Sequence, residues 1–407
     1  MPLSISIIKE RKPGERRVAM VPSVVPRLSR LGAAISIEKG AGLAATFADA
    51  AYLDTHVEAD PKALVSSADI VLAVDPPSVE IVEAMKPGSV LISFVFGTIN
   101  RDLVVALQKQ KVTSLAMELI PRISRAQAMD ALSSQAALAG YYAPLLGAVN
   151  MPRILPMMTT AVGSLRAATV LVMGLGVAGL SALATAHRLG AITIGYDVRP
   201  ETKEQAQSLG AKFVETGVDA RGEGGYAREL TAEEKVKVQK ALSDSIAQAD
   251  MIITTASVPG KAAPKLISAD QIGAMKPGAV IVDLSAESGG NCEGTKPGET
   301  VVVGPATIMG PLDVASDLAQ HSSELYAKNL LNLIGLIVKD GAINLDFNDE
   351  VVAGTTLTHD GEITNKLVRE KLAPTVVPLA TAAPVPSEPR PVPDTTAEPT
   401  PKTGTSR

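Results

Sequence analysis

The stretch 169–197, TVLVMGLGVAGLSALATAHRLGAITIGYD, constrains this chain more than any other. It reads as a strand, a glycine turn, a helix and a second strand ending in an acid. Thr169 to Met173 is a short apolar run of the kind that fills a buried parallel strand. Gly174, Gly176 and Gly179 complete a G-x-G-x-x-G pattern. The first glycine permits a tight turn. The second lets a pyrophosphate approach the backbone, and the third lets the helix pack closely on the strand. The helix, about Ala178 to Leu189 with Val177 at its mouth, points its first N–H groups at that phosphate. A second strand, Ile192 to Tyr196, leads to Asp197, followed by Val198 and Arg199 as further candidate cofactor contacts. An acid at this point accepts both ribose hydroxyls of an adenosine and repels a 2′-phosphate, which favours NAD(H) over NADP(H). Glycine turns that bind nothing can match the pattern alone. The full βαβ context with its acid specifies a dinucleotide site.

A chain of 407 residues exceeds one core and suits two domains with additions. The hydrophobic share of 46% supplies those cores, and a net charge of −5 with no long basic run argues against nucleic acid as a partner. Cys292 is the one cysteine, so neither an intrachain disulfide nor a cysteine metal cluster is expected, and no metal site is assigned. A reducing cytoplasm fits, and MPLSISIIKERKPGERR lacks the apolar core of a secretory signal. Thr169–Ala186 and Ala131–Pro152 carry no charge and are long enough to mimic membrane helices. The first is the glycine-broken nucleotide unit, and the second, with its Ser, Gln, Tyr and Pro residues, reads as a buried helix and connector. No membrane insertion is expected.

Strands at 3–9, 33–38, 68–74, 89–94 and 112–116 alternate with helices, including one ending at Gly32 and one over Leu103–Gln110. This predicts a first doubly wound parallel domain over 1–134, completed by 306–345. The second, nucleotide-binding domain spans 135–305, with further strands at 211–214, 249–255 and 279–284. The fold class is therefore α/β, with two Rossmann-like parallel-sheet domains and a cleft between them. MKPG occurs at Met85–Gly88 and again at Met275–Gly278, each time before an apolar strand, as expected of a turn after a helix. The glycine-rich loop 215–230 is long for an α/β connection and carries Tyr226. It is either an idle surface loop or a lid over the cofactor. Ser316–Val338 has a helical leucine pattern that returns to the first domain. Val351–Ile363 reads as a β-hairpin turning at Asp360-Gly361, within a region 346–372 that is a candidate dimer contact. The Pro-, Thr- and Ala-rich segment 373–407 reads as a disordered tail.

Residues 118–135, ELIPRISRAQAMDALSSQ, form a loop entering a helix, with a dense polar set at the domain junction. Gln127, Asp130 and Ser134 fall on one helical face, and Ser133 is offset by one position. Asp130 as a solvated acid and Ser133 as a helix packer is the plainer reading. With MGLGVAG, GGYA and AESGGNC, the segment PRISRAQAMDALSSQ resembles the NAD(H)-binding component, domain I, of the proton-translocating nicotinamide nucleotide transhydrogenase alpha subunit. The resemblance extends from the N-terminus to about residue 370. It implies that Arg122, Asp130 and Ser133 hold the nicotinamide carboxamide or a nearby phosphate. It also implies that Gln127 reaches toward an NADP(H) nicotinamide presented by a partner, and that Tyr226 closes on NAD(H). The four residues 122, 127, 130 and 133 are thus the expected reaction site. The implied assembly contains a membrane-spanning subunit and an NADP(H)-binding subunit. The chain itself would be a homodimer, peripheral on the cytoplasmic face of the inner membrane.

The related alanine dehydrogenases are the alternative, a soluble NAD-dependent amino-acid dehydrogenase. There a Lys and a His handle the amino acid, and the matching positions here are Ala73 and Phe96. Arg17 matches a substrate-carboxylate arginine, with a structural salt bridge as its other reading. Oxidation of an amino acid needs a proton acceptor. None of His56, His187, His321 and His359 falls at such a place. Hydride exchange between two nicotinamides needs no acceptor, only two C4 atoms held about 3–3.5 Å apart.

Overall fold

The computed structural model describes residues 2–220, 228–257 and 262–372. The apolar runs near the N-terminus form an eight-stranded sheet. Its strand order is Glu362–Ile363, Thr356–His359, Thr113–Ala116, Val90–Ser93, Ile70–Leu72, Leu3–Ile7, Ala33–Glu38 and His56–Glu58. The six strands from the first 116 residues are parallel, and the last strand pair joins the edge antiparallel to Thr113–Ala116. The central strands are buried on both faces, as continuous apolar runs require.

The second sheet has seven strands, ordered Lys212–Phe213, Ile192–Tyr196, Thr169–Met173, Met251–Thr254, Ala279–Asp283, Ala306–Met309 and Thr300–Val303. All pair in parallel except the last two. Thr169–Met173 lies at the centre, between Ile192–Tyr196 and Met251–Thr254, so the strand order reverses beside the glycine turn. Ligands of open α/β sheets bind at that switch point.

Two helices link the sheets. Ala131–Asn150 lies against the helix Val177–Arg188, so closely that a Cβ at Gly140 would collide with the Ala178 carbonyl. Ala319–Ile337 returns to the core of the first sheet, burying Tyr326, Leu330, Leu333, Ile334 and Ile337. The helical pattern beginning at Ser316 breaks at Leu318, which separates Val314–Asp317 from this helix.

Three boundaries differ from the sequence reading. The second sheet runs on to Met309, because Ala306–Met309 pairs with Ala279–Asp283 in register. Val351–Thr355 is helix, not hairpin: Asp349 caps Glu350–Thr355 by accepting from the Val351 N–H at 2.8 Å, and Val351 and Val352 face the core. The remaining hairpin, Thr356–His359 with Glu362–Ile363, is taken up by the first sheet and does not stand as a separate element. Among the described residues no helix is long and apolar enough to cross a membrane. The tail 373–407 lies outside the described residues.

Candidate functional site

The glycine turn is tight at two of its glycines and open at the third. Gly174 has φ +93°, and a Cβ there would lie 2.9 Å from the Ala256 nitrogen and from Thr255 Oγ1. A Cβ at Gly179 would collide with the Gly174 carbonyl oxygen. At Gly176 a Cβ would meet nothing within 4 Å. Gly176 is the exposed N-cap of Val177–Arg188, with no side-chain cap, and Val177 beside it is exposed. Free N–H groups at a helix mouth beside an open glycine fit a pyrophosphate.

Asp197 is held in place by its own neighbourhood. Its Oδ2 accepts from the Leu175 N–H at 2.7 Å, and its Oδ1 accepts from the Arg199 N–H at 2.9 Å. The Arg199 side chain adds bonds of 3.0 Å from Nε and 2.9 Å from Nη2. The guanidinium therefore lies on the carboxylate edge that ribose hydroxyls would use, and must give way to them. Val198, half-buried, packs against the core on that side of the sheet.

The sequence reading missed a brace behind the turn. Asp283, wholly buried, accepts from the N–H groups of Ser285, Asn291 and Cys292 and from Thr295 Oγ1, at 2.7–3.2 Å. That ties down the loop carrying Asn291. The Asn291 amide accepts from the Ala256 N–H at 3.0 Å and donates to the Ala256 and Pro264 carbonyls at 2.8 Å each. Thr255, next in line, donates from Oγ1 to the Gly174 carbonyl at 2.8 Å. AESGGNC thus supports the phosphate turn from behind, while burial pushes the Cys292 thiol up to about 12 and leaves it inert.

Residues 122, 127, 130 and 133 do come together: Pro121, Arg122, Ile123, Gln127, Asp130 and Ser133 line one pocket. They do so without the shared helical face. Ser124–Met129 is a 3₁₀ turn, and the α-helix starts only at Ala131. Asp130 is its N-cap, with Oδ1 accepting from the Ser133 N–H at 2.9 Å and Oδ2 from Ser133 Oγ at 2.6 Å. Such a cap is worth about 1 kcal/mol, so half-buried Asp130 is more than a solvated acid. Gln127 and Arg122 are exposed, and Ser134 turns away from the pocket to Asn329. Arg125 anchors the turn through a paired bond to Asp349 at 2.7 and 2.9 Å. Tyr226 lies outside the described residues.

The dehydrogenase-like positions hold other chemistry. Ala73 is buried, and its carbonyl accepts from the Tyr326 hydroxyl at 2.9 Å. Phe96 stacks on Phe94 at 5.5 Å, in a left-handed backbone conformation. Arg17 is buried and engaged at every arm. It donates to Glu15 from Nε at 2.8 Å, to Gln135 from Nη1 at 3.0 Å, and lies 3.6 Å from Asp75. Burial works against the Glu15 carboxylate, but Arg17 holds it below its usual range. Burial and Glu15 together push Asp75 up to about 6. Glu15, Asp75 and Asp313 approach one another, but Lys12 already lies among them, 2.8 Å from Asp313 and 3.5 Å from Asp75. The histidines lie elsewhere, His359 for instance against Thr113 and Phe347.

Two doubly wound sheets, a glycine turn with an acid at the next strand end, and a polar pocket at 121–133 define a dinucleotide-dependent dehydrogenase scaffold. Family models confirm it. Residues 6–139 match the alanine dehydrogenase/PNT N-terminal domain, and residues 143–366 match the C-terminal domain. An NAD(P) transhydrogenase alpha-subunit protein of Rickettsia prowazekii is 43% identical over 377 residues, covering 91% of this chain and 98% of that protein. The crystal structure of transhydrogenase from Sinorhizobium meliloti superposes with a TM-score of 0.79 at 40% identity, covering 89% of this chain and 99% of that one. An L-alanine dehydrogenase structure shares the fold, with a TM-score of 0.76 at 22% identity, over 91% of this chain and 99% of that one. The chain belongs to the alanine dehydrogenase/PNT family and, within it, to the NAD(P) transhydrogenase alpha subunits.

Proposed function

We propose that this chain binds NAD(H) and exchanges hydride with NADP(H) held on a separate partner subunit, in a complex that couples the exchange to proton movement across a membrane. The observation that carries this reading is the composition of the pocket at 121–133. It offers a guanidinium, an amide, a hydroxyl and the helix-capping carboxylate of Asp130, and neither imidazole nor lysine among its described residues. Those groups suit gripping a carboxamide and orienting a ring. They do not suit removing a proton from an amine or alcohol.

In this reading Gly174, Gly176, Val177 and Gly179 hold the pyrophosphate, and Asp197, Val198 and Arg199 border the adenosine. Tyr226 closes over the site. Arg122, Asp130 and Ser133 grip the nicotinamide end, and exposed Gln127 meets the second nicotinamide. The bound dinucleotide supplies the hydride. The protein contributes alignment and the exclusion of water. The partner subunits comprise a membrane-spanning one and the NADP(H)-binding one, and this chain sits peripherally on the cytoplasmic face of the inner membrane. The chain pairs with a second copy. The hairpin at 356–363 is occupied within its own sheet, so the better surface is the arm Met158–Thr160 with Gly163–Leu165, where Met157, Val162 and Leu165 are exposed.

The alanine-type dehydrogenase reading is disfavoured by the setting of Arg17, which is buried, bonded from each of its three nitrogens to Glu15 or Gln135, and beside Asp75. One experiment decides between them. The purified chain is mixed with a transhydrogenase NADP(H)-binding domain, and hydride transfer from NADH to an NADP⁺ analogue is followed. Transfer is expected. Its absence, or pyruvate- and ammonia-dependent oxidation of NADH by the chain alone, would overturn the proposal. In the same assay Gln127→Asn slows transfer by at least about tenfold with NADH affinity nearly unchanged, whereas Asp197→Ala weakens NADH binding instead.

A further inference from the structure

The pocket turn at 124–130 makes few bonds of its own, yet one carbonyl in it is bonded twice. Ala128, adjacent to Gln127, accepts from Asn329 Nδ2 at 2.9 Å and from Asn332 Nδ2 at 3.1 Å. Both asparagines belong to the helix Ala319–Ile337, within its leucine-rich second half, and Asn329 is buried. Asn329 Oδ1 accepts from Ser134 Oγ at 2.7 Å. Ser134 Oγ accepts from Gln135 Nε2 at 3.2 Å, and Gln135 Oε1 accepts from Arg17 Nη1 at 3.0 Å.

We propose that Arg17, Gln135, Ser134 and Asn329 form a one-directional hydrogen-bond chain that positions the turn bearing Gln127. Its direction follows from its first member. An arginine side chain only donates, so Gln135 must turn its oxygen to Arg17 and its NH₂ to Ser134. Ser134 has one hydroxyl proton and two acceptors in reach, Asn329 Oδ1 at 2.7 Å and the Ala131 carbonyl at 3.1 Å, and the shorter contact is to Asn329. Asn329 is left with its NH₂ toward the Ala128 carbonyl. A flip of Gln135 would set two donors face to face in a buried place, and a flip of Asn329 would set two acceptors face to face in a half-buried one, where an unmade bond is costly. Arg17 thereby acts on the pocket from behind, without touching a nucleotide. Asn329 and Gln135 are positioning residues for the exchange, so the kinetic side of the proposal rests on the function proposed above.

Gln135→Glu tests the direction. The carboxylate still receives Arg17 but cannot donate to Ser134, whose proton turns to it and leaves Asn329 Oδ1 unserved. Asn329→Asp is the second variant, because it keeps the acceptor for Ser134 and loses the donor to Ala128. In the full chain, amide hydrogen exchange at 126–130 is expected to quicken at least about fivefold in both, while the Val177–Arg188 helix stays protected. Hydride transfer falls about tenfold with NADH affinity within about twofold. Ser134→Thr keeps the hydroxyl and retains wild-type values, and the Gln135→Glu/Asn329→Asp double variant is no slower than the worse single one. Unchanged exchange at 126–130, or a transfer rate and an NADH affinity that fall together, overturns the proposal. A wild-type chain that transfers no hydride refutes the proposed reaction instead, and the exchange measurement then decides the chain by itself.

Discussion

The two α/β units are built alike at one edge of their sheets and oppositely at the other. At the N-terminal edge each has an aspartate that starts a strand and ties down its neighbour. Asp69 accepts from the Ser4 N–H at 3.0 Å and from Lys86 at 2.6 Å. Asp250 accepts from the Thr169 N–H at 2.8 Å and from Lys276 at 2.9 Å. Both lysines come from the MKPG turns, whose glycines have φ of +79° and +78°. At the C-terminal edge the first unit fills its strand ends with its own carboxylates. Glu10 accepts from the N–H groups of Val74 and Asp75, and Glu118 from those of Val95 and Phe96. The second unit leaves Gly176 bare. Backbone N–H groups at strand and helix ends are anion sites. Both units satisfy groups of this kind with their own side chains, but the second leaves the helix mouth at Gly176 without a side-chain cap. The shared edge holds the fold together, and the divergent edge decides which unit binds.

The largest expected effect comes from a methyl group placed in each unit. Gly179→Ala drives a Cβ into the Gly174 carbonyl and must move the turn. The strain of about 1–3 kcal/mol should appear as loss of NADH affinity by about a hundredfold in calorimetric titration. Gly88→Ala meets no atom and carries only the left-handed backbone cost, about 1–2 kcal/mol. It lowers stability and leaves NADH affinity alone. Equal affinities in the two variants would dissolve the distinction between the units.

The next effect concerns the self-capping carboxylates. Burial, reinforced by Asp75 and Glu15, pushes Glu10 up to about 8, against the bond from the Val74 N–H. Folded Glu10 thus holds a proton that the unfolded chain has released above its ordinary value of 4.5. The native state binds more protons across that window, so this group costs stability as pH rises from about 5 to 8. Glu10→Gln removes the dependence. The melting temperature of the wild type relative to this variant should therefore fall over that range. A constant difference would mean that Glu10 is ionised in the fold and that the first unit carries a true anion at its strand ends.

The fold was legible because both units alternate apolar strands with helices, and Gly174, Gly176, Gly179 and Asp197 stand at fixed offsets in one of them. The pocket was legible only in outline. Arg122, Gln127, Asp130 and Ser133 were identified, but their helical periodicity misled, because Asp130 is more stable as a cap than as a helical residue. The hairpin expected from 351 was delayed by the same device, with Asp349 capping a short helix first. Asn329 and Asn291 act across long sequence separations, and no local pattern reports a partner so far along the chain. Asp283 acts within its own loop, on donors 2 to 12 residues ahead. The one trace is compositional: Asn329 and Asn332 are three apart in a leucine-rich helix, and Asp283 ends the apolar run AVIVD.

The smallest effect tests whether the shared edge is as equivalent as its geometry. Lys86→Met and Lys276→Met each remove one ammonium from a bracketing aspartate and keep the alkyl stem. Both lysine side chains are partly in water, at 51% and 36% exposure, so each pair is worth less than about 1 kcal/mol. The aspartates are less alike. Asp69 keeps Ser4 as its remaining partner, while Asp250 is more deeply buried but keeps Arg153 at 3.5 Å as well as Thr169. Deeper burial raises the cost of losing a cation, and the second cation offsets it. Urea unfolding should therefore show similar small losses for the two variants. A loss at Lys276 well beyond the one at Lys86 would mean that Arg153 does not compensate and that the nucleotide-binding unit depends on its bracket more than its counterpart does. Adding Arg153→Met to Lys276→Met should then expose the full cost of leaving Asp250 with a single backbone donor.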